Sequence, residues 1–137
     1  LDADGSALSI LHAEVGGFIK MEGKEVFRRA VRIMVDSAEK SMAHAGVTAD
    51  QIALIVPHQA NVRIIDAACE RLGIPRERAA VVLHRTGNTS AASIPLALAD
   101  ALDIGRVQNG DLVLLVGFGG GMTAASCVLR WGGGIDD

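Results

Sequence analysis

The chain alternates between long stretches with helical spacing of apolar residues and short, almost unbroken apolar runs. Over 22–45, Val26, Ala30, Ile33, Met34, Ser37 and Met42 recur near the helical period, and Gly46 stands where such a helix would stop. Ile64, Ile65, Ala68 and Leu72 mark one face of a second helix over 59–72, closed by Gly73 with Pro75 just beyond. A third helix is predicted over 91–102, ended by Gly105, with Pro95 signalling an irregular first turn. The short runs at 52–56, 79–83 and 111–118 have the length and Ile/Leu/Val content of strands buried on both faces. Pro57 should end the first of them, because proline donates nothing to a ladder. Upstream, Asp2-Ala3-Asp4-Gly5 reads as a turn, 7–11 as strand-like, and Gly16-Gly17 as a break.

Connections set the topology. Strands separated by helices favour parallel neighbours, whereas the glycine run Gly119-Gly120-Gly121 leaves no room for a helical crossover between 111–118 and a last strand at 123–130. Those two strands should therefore pair antiparallel. The expected fold is α/β: a mixed, mainly parallel sheet with helices packed on it and a terminal antiparallel pair. We expect residues 1–20 to be an amino-terminal extension or a truncated first strand, 21–131 a domain, and 132–137 a tail.

Composition narrows the class. Of 137 residues, 50% are hydrophobic and 21% charged, with a net charge of -3, which excludes a disordered chain. Aromatics make up only 3%, too few for a base-stacking surface, so no nucleic-acid partner is expected. The longest apolar runs fall far short of the about 18 residues needed to span a bilayer, so no membrane partner is expected either. Cys69 and Cys127 both lie among apolar neighbours and read as small core residues, which makes a reducing, cytoplasmic setting the expectation. The opening at Leu1 rather than Met points to a fragment or a processed product. The apolar surplus fits one half of a larger core, and the isolated chain should self-associate.

Ligands of open α/β sheets lie beyond the carboxyl ends of parallel strands. Just past the predicted strands stand Pro57-His58-Gln59-Ala60-Asn61, then His84 to Ser90 including Asn88, then Gly117 to Gly121. They offer an imidazole, a neutral carboxamide and glycine N–H groups, the parts of a site that stabilises an oxyanion. Each also has a structural reading: His58 as a satisfied core histidine, Asn88 as a helix N-cap, the glycines as a bend. The glycine run is not a dinucleotide fingerprint, since only 16 residues follow Gly121. His12, His44, His58 and His84 share no ligand spacing, so no metal is expected.

Three motifs carry a family resemblance. Val56-Pro-His58-Gln-Ala-Asn61, Gly87-Asn88-Thr-Ser-Ala-Ala-Ser-Ile-Pro95 and Phe118-Gly-Gly-Gly121, with Glu22-Gly-Lys-Glu-Val-Phe27 ahead of them, resemble β-ketoacyl-acyl-carrier-protein synthase III. The likeness runs from about Met21 to Trp131 and implies the second half of a thiolase-like fold. A histidine paired with an asparagine points to the priming, CoA-using branch of the condensing enzymes.

That resemblance implies decarboxylative condensation of an acyl-CoA with malonyl-carrier protein to start fatty acid synthesis. No cofactor is implied beyond these substrates. His58 and Asn88 would be the catalytic donors and the Gly120 N–H part of an oxyanion hole. Asn61 and Phe27 would line the pantetheine tunnel, with Met21 and Gly23 near its mouth. The nucleophilic cysteine would belong to the other half, so this chain alone should be inactive. Lys20, Lys24, Arg28, Arg29 and Arg32 outnumber Glu22 and Glu25 between 20 and 32. With Arg63 they suggest a docking patch, chiefly Arg28 and Arg63, for acyl carrier protein or CoA phosphates; the plain alternative is a solvated helix face. Expected partners are acyl carrier protein, acyl-CoA and either a homodimeric copy or the missing half. The other readings are a non-catalytic domain that binds acyl or carrier partners, and a related enzyme of polyketide or hydroxymethylglutaryl-CoA synthesis.

Overall fold

The computed structural model describes residues 1–132. The expected tail therefore lies, from 133 onward, outside the described residues. In chain order the strands and helices are β1 (Asp2–Ala3), β2 (Leu11–Ala13), β3 (Ile19–Met21), α1 (Gly23–Ala45), β4 (Ile52–Pro57), α2 (Val62–Leu72), α3 (Leu83–Thr86), α4 (Ser93–Asp103), β5 (Leu112–Gly119) and β6 (Thr123–Arg130). The main sheet has the order β1-β6-β5-β4, and β2 and β3 form a separate hairpin.

The sheet is mixed, as its connections predict. β4 and β5 run parallel, while β5–β6 and β1–β6 are antiparallel. The parallel share is smaller than expected because 79–83 is not a strand. Ala79 forms only an isolated parallel bridge to Ile55, with the Ala80 N–H on the Ile55 carbonyl at 2.9 Å. Further along, the N–H groups of Val82 and Leu83 donate to the Gln59 side-chain oxygen at 3.0 and 3.2 Å rather than to a ladder. A buried side chain has captured the backbone donors that a strand would have used, and the chain turns into α3.

Helices cover both faces of the sheet. Val26, Ala30, Val31, Met34, Ala38 and Met42 bury one stripe of α1, which packs on β5, β6 and α2. Ile55, Leu114 and Val116 meet this layer, while Leu54, Val56 and Val113 face Ala97 and Ala101 of α4. Neighbouring residues of β4 and β5 thus feed opposite cores, which explains why both runs are apolar throughout. Gly46 and Gly73 close α1 and α2 at φ of 66° and 68°, a left-handed conformation that costs glycine little.

Two other expectations are corrected. The 7–11 segment is mostly a 3₁₀ helix, Gly5–Ile10, because the Asp4 carboxylate caps the Ser6 N–H and turns the chain before β2 begins. Helix α2 starts at Val62 rather than 59, because Asn61 is its N-cap and accepts from the Arg63 N–H at 2.9 Å. The predicted irregularity near Pro95 is a 3₁₀ turn, Ser90–Ala92, ahead of α4, and Pro95 occupies the first turn, where no partner for its nitrogen is required. No helix among the described residues is long and apolar enough to cross a membrane.

Candidate active site

His58 stands one residue past β4, and its backbone N–H donates to the Val116 carbonyl at 2.8 Å, carrying the parallel ladder past Pro57. The imidazole lies edge-on to Phe118 with ring centroids 5.4 Å apart. Its Nδ1 is 2.6 Å from the hydroxyl of Ser93, in the first turn of α4. Burial pushes the ring's pKa below its ordinary value and favours the neutral imidazole.

Asn88 precedes α4 by a short turn, and its side-chain oxygen accepts from the Ser90 N–H at 3.0 Å. Asn88 is not the helix N-cap its sequence suggests, since Ala92 caps α4 and Thr89 the preceding 3₁₀ turn; its oxygen serves a local turn, and its NH2 group has no protein partner among the described residues. His58, Asn88, Gly117, Phe118, Gly119 and Gly120 line one cavity of about 480 Å³. The structure thus brings residues of the three motifs to one cavity, although the Asn88 motif follows α3 and not a strand. The glycine run is also the expected bend, turning β5 back into β6.

A second cavity of about 360 Å³ is lined by Gly23, Lys24, Phe27, Asn61 and Arg63. The Arg63 guanidinium lies over the Phe27 ring, 5.5 Å from its centroid. Met21 and Arg28 enter neither cavity. Met21 is exposed on β3. Arg28 pairs with Glu25 at 2.9 Å, and Arg29 with the same carboxylate at 2.7 Å. The Arg29 and Arg28 hydrogen bonds hold the Glu25 carboxyl below its usual range, and Glu25 raises the Arg28 pKa in turn. Lys20 pairs with Glu14. Among the basic residues of that helix start, Lys24 is the one that opens onto the cavity beside Arg63.

The cysteines separate. Cys69 is buried in α2, and burial pushes its thiol up, away from nucleophilic character. Cys127 is exposed, contrary to expectation, because it points away from α1 on the face of β6 that no helix covers. Its apolar neighbour Val128 belongs to the α1 side of the strand, while Ala125 shares the face of Cys127 and is exposed with it.

Sequence reasoning missed Ser93, Gly117 and Gln59. A Cβ at Gly117 would lie 3.2 Å from Ile94 Cδ1 and 3.6 Å from His58 Cβ, so this position packs the histidine against α4. Gln59 is fully buried; its NH2 donates to the carbonyls of Pro57 and Ala80 at 2.7 and 3.2 Å. A glutamine directly after the histidine, at the end of an apolar run, was the signal for it. Ser93 was visible only as one letter of a motif.

Residues 42–131 match the family model described as 3-Oxoacyl-[acyl-carrier-protein (ACP)] synthase III C terminal. A β-ketoacyl-acyl-carrier-protein synthase III of Deinococcus radiodurans is 53% identical over 131 residues, covering 95% of this chain and 39% of that protein. The crystal structure of the Aquifex aeolicus 3-oxoacyl-acyl-carrier-protein synthase III superposes with a TM-score of 0.92 at 46% identity, over 95% of this chain and 42% of the other. The priming β-ketosynthase of the R1128 polyketide pathway gives a TM-score of 0.84 at 38% identity, over 94% and 42%. The chain thus spans about two fifths of the length of these relatives. With its α/β layers and thiolase-like neighbours, it belongs to the family of 3-oxoacyl-acyl-carrier-protein synthase III carboxyl-terminal domains.

Proposed function

We propose that the protein containing this chain condenses an acyl-CoA primer with malonyl-carrier protein by decarboxylative Claisen chemistry, and that this domain supplies the decarboxylation donors. The observation that carries the reading is the convergence of His58 and Asn88 on the cavity walled by the 117–120 segment, with burial favouring the neutral imidazole and the Asn88 NH2 group without a protein partner among the described residues.

In this reading the acyl group first passes from CoA to a cysteine of the other half, with thiolate CoA leaving. Malonyl-carrier protein then binds. Its C–CO2 bond breaks, CO2 departs, and the electron pair moves onto the thioester as an enolate. N–H donors from His58 and Asn88 receive the developing charge on the thioester oxygen. Such a donor is typically worth about 3 kcal/mol of barrier. The enolate carbon attacks the acyl-cysteine carbonyl, and the Gly120 N–H helps hold the second oxyanion. Collapse expels the cysteine thiolate and releases a β-ketoacyl-carrier protein. A neutral imidazole suits this role, because it can donate without adding a full charge to a dry site.

The second cavity supports a route for the pantetheine arm past Phe27 and Asn61, with Gly23 at its rim. Lys24 and Arg63 would meet the acidic carrier protein or the CoA phosphates, and Arg28, tied to Glu25, would contribute less. Met21, exposed on the hairpin, would touch only an entering partner. A homodimer and a cytoplasmic location belong to the same proposal.

The test uses full-length protein. His58→Ala and Asn88→Ala should each abolish malonyl decarboxylation while leaving acylation of the cysteine largely intact. Loss of acylation with decarboxylation spared would reverse the assigned roles, and acylation without any decarboxylation in the unsubstituted protein would favour a binding domain.

A further inference from the structure

Ser93 is completely buried, and its hydroxyl touches the ring of His58, which lines the first cavity while Ser93 does not. Its oxygen lies 2.6 Å from His58 Nδ1 and 3.3 Å from the Gln59 backbone N–H. The amide can only donate, so it occupies a lone pair of Oγ. The hydroxyl proton must then go to an acceptor. Among the described residues the one hydrogen-bonded atom able to take it is His58 Nδ1. The opposite arrangement, with Nδ1–H donating to Oγ, would leave that hydroxyl proton buried with no acceptor, which is unfavourable in a water-free contact.

We propose that Ser93 is a positioning residue that fixes the tautomer of His58, holding Nδ1 as an acceptor so that the ring proton sits on Nε2, facing the substrate cavity. The inference rests on the decarboxylation role given to His58. It adds why the imidazole is a donor there and not an acceptor. In the other tautomer Nε2 would present a lone pair to the developing enolate oxygen and repel it. The hydroxyl is itself held in place: Ser93 sits in the first turn of α4, and the Gln59 amide that orients it is locked by the buried Gln59 side chain. Burial also keeps the ring neutral, so the choice of tautomer decides its polarity.

The experiment uses full-length protein containing this chain. With 15N-labelled histidine at neutral pH, His58 Nδ1 should resonate in the unprotonated range and Nε2 in the protonated range. Ser93→Ala should shift both toward a tautomer mixture. The same substitution should lower malonyl decarboxylation about 10- to 100-fold, in line with losses on removing outer-shell partners. Cysteine acylation, which does not use His58, should stay near wild type and serves as the control for folding. Ser93→Thr, which keeps the hydroxyl, should recover most of the rate. A protonated Nδ1 in the unsubstituted protein overturns the proposal. So does a Ser93→Ala variant with undiminished decarboxylation, or a Thr variant in which His58 Nδ1 stays unprotonated yet decarboxylation is no better than that of Ala. His58→Ala distinguishes the levels: if it spares decarboxylation, the functional reading falls and this proposal with it. If it abolishes decarboxylation while Ser93→Ala does not, only the tautomer assignment falls.

Discussion

The Cα of Gly117 faces the Cβ of His58 so closely that an added methyl would lie 3.6 Å from it and 3.2 Å from Ile94 Cδ1. β5 therefore sets the depth of the imidazole as well as its backbone height. Gly117→Ala asks only a small shift of a flexible isoleucine tip. Gly117→Val adds branches that Ile94 and His58 cannot both accommodate. Valine there should cost roughly 1–3 kcal/mol of stability and reduce decarboxylation more than cysteine acylation. Denaturant unfolding and the two partial reactions, measured side by side, check this. Equal losses in both reactions would mean general unfolding instead of histidine displacement.

The His58 ring carries a pH signature. Its folded pKa is lowered by burial from the ordinary 6.5. As pH falls, the unfolded chain takes up the proton first. The stabilising contribution of the neutral ring is thus complete above about 6.5 and is lost as pH drops from there through the lower folded value. Guanidinium midpoints for the wild type should fall between about pH 7 and pH 5 by more than those of His58→Gln. Parallel curves for the two proteins would contradict a buried neutral histidine.

Gln59 satisfies four backbone groups from one side chain: the carbonyls of Pro57 and Ala80 and the N–H groups of Val82 and Leu83. It joins the end of β4 to the segment that leads toward Asn88. Gln59→Leu matches its bulk but orphans all four groups. We expect a loss of roughly 2–4 kcal/mol, limited by how far the 80–83 segment can relax to water. Urea unfolding measures it. A loss under about 0.5 kcal/mol would show that the segment finds other partners.

Charge reversal separates free cations from paired ones. Lys24→Glu and Arg63→Glu should raise the apparent KM for malonyl-carrier protein, more at low than at high salt. Arg28→Glu should do less, because Arg28 is already held by Glu25. Steady-state kinetics at two ionic strengths read this out. An Arg28 effect equal to that of Arg63 would place the docking surface on the exposed flank of α1 and not at the Phe27 cavity.

Much of this was legible in the sequence, for local reasons. Gly46 and Gly73 mark helix ends, and the three-glycine connection forces β5 and β6 antiparallel. Strand ends in an α/β fold draw attention to His58 and the 117–121 glycines, whereas Asn88 was reached through a run that is not a strand and stands after α3 instead. What escaped depended on contacts far apart in the chain. Residues 79–83 have the apolar content of a strand, but a glutamine some twenty residues away takes their donors. Cys127 reads as core because its neighbours are apolar, yet strand alternation puts it on the uncovered face. Ser93 is separated from His58 by 35 positions, and no periodicity links a hydroxyl in a helix's first turn to an imidazole beyond a strand.

The Asn88 carboxamide lines the cavity with its oxygen spent on the Ser90 N–H and its nitrogen without a protein partner among the described residues. An aspartate at this position keeps the oxygen and loses the nitrogen. Asn88→Asp should therefore melt and express like the parent while presenting negative charge to an anionic intermediate, and decarboxylation should be lost. A screen that ranks variants by thermal stability alone would pass it as silent. At this position the fold gives no protection against the most damaging single-atom change, so natural loss of activity here would leave an intact and well-folded protein behind.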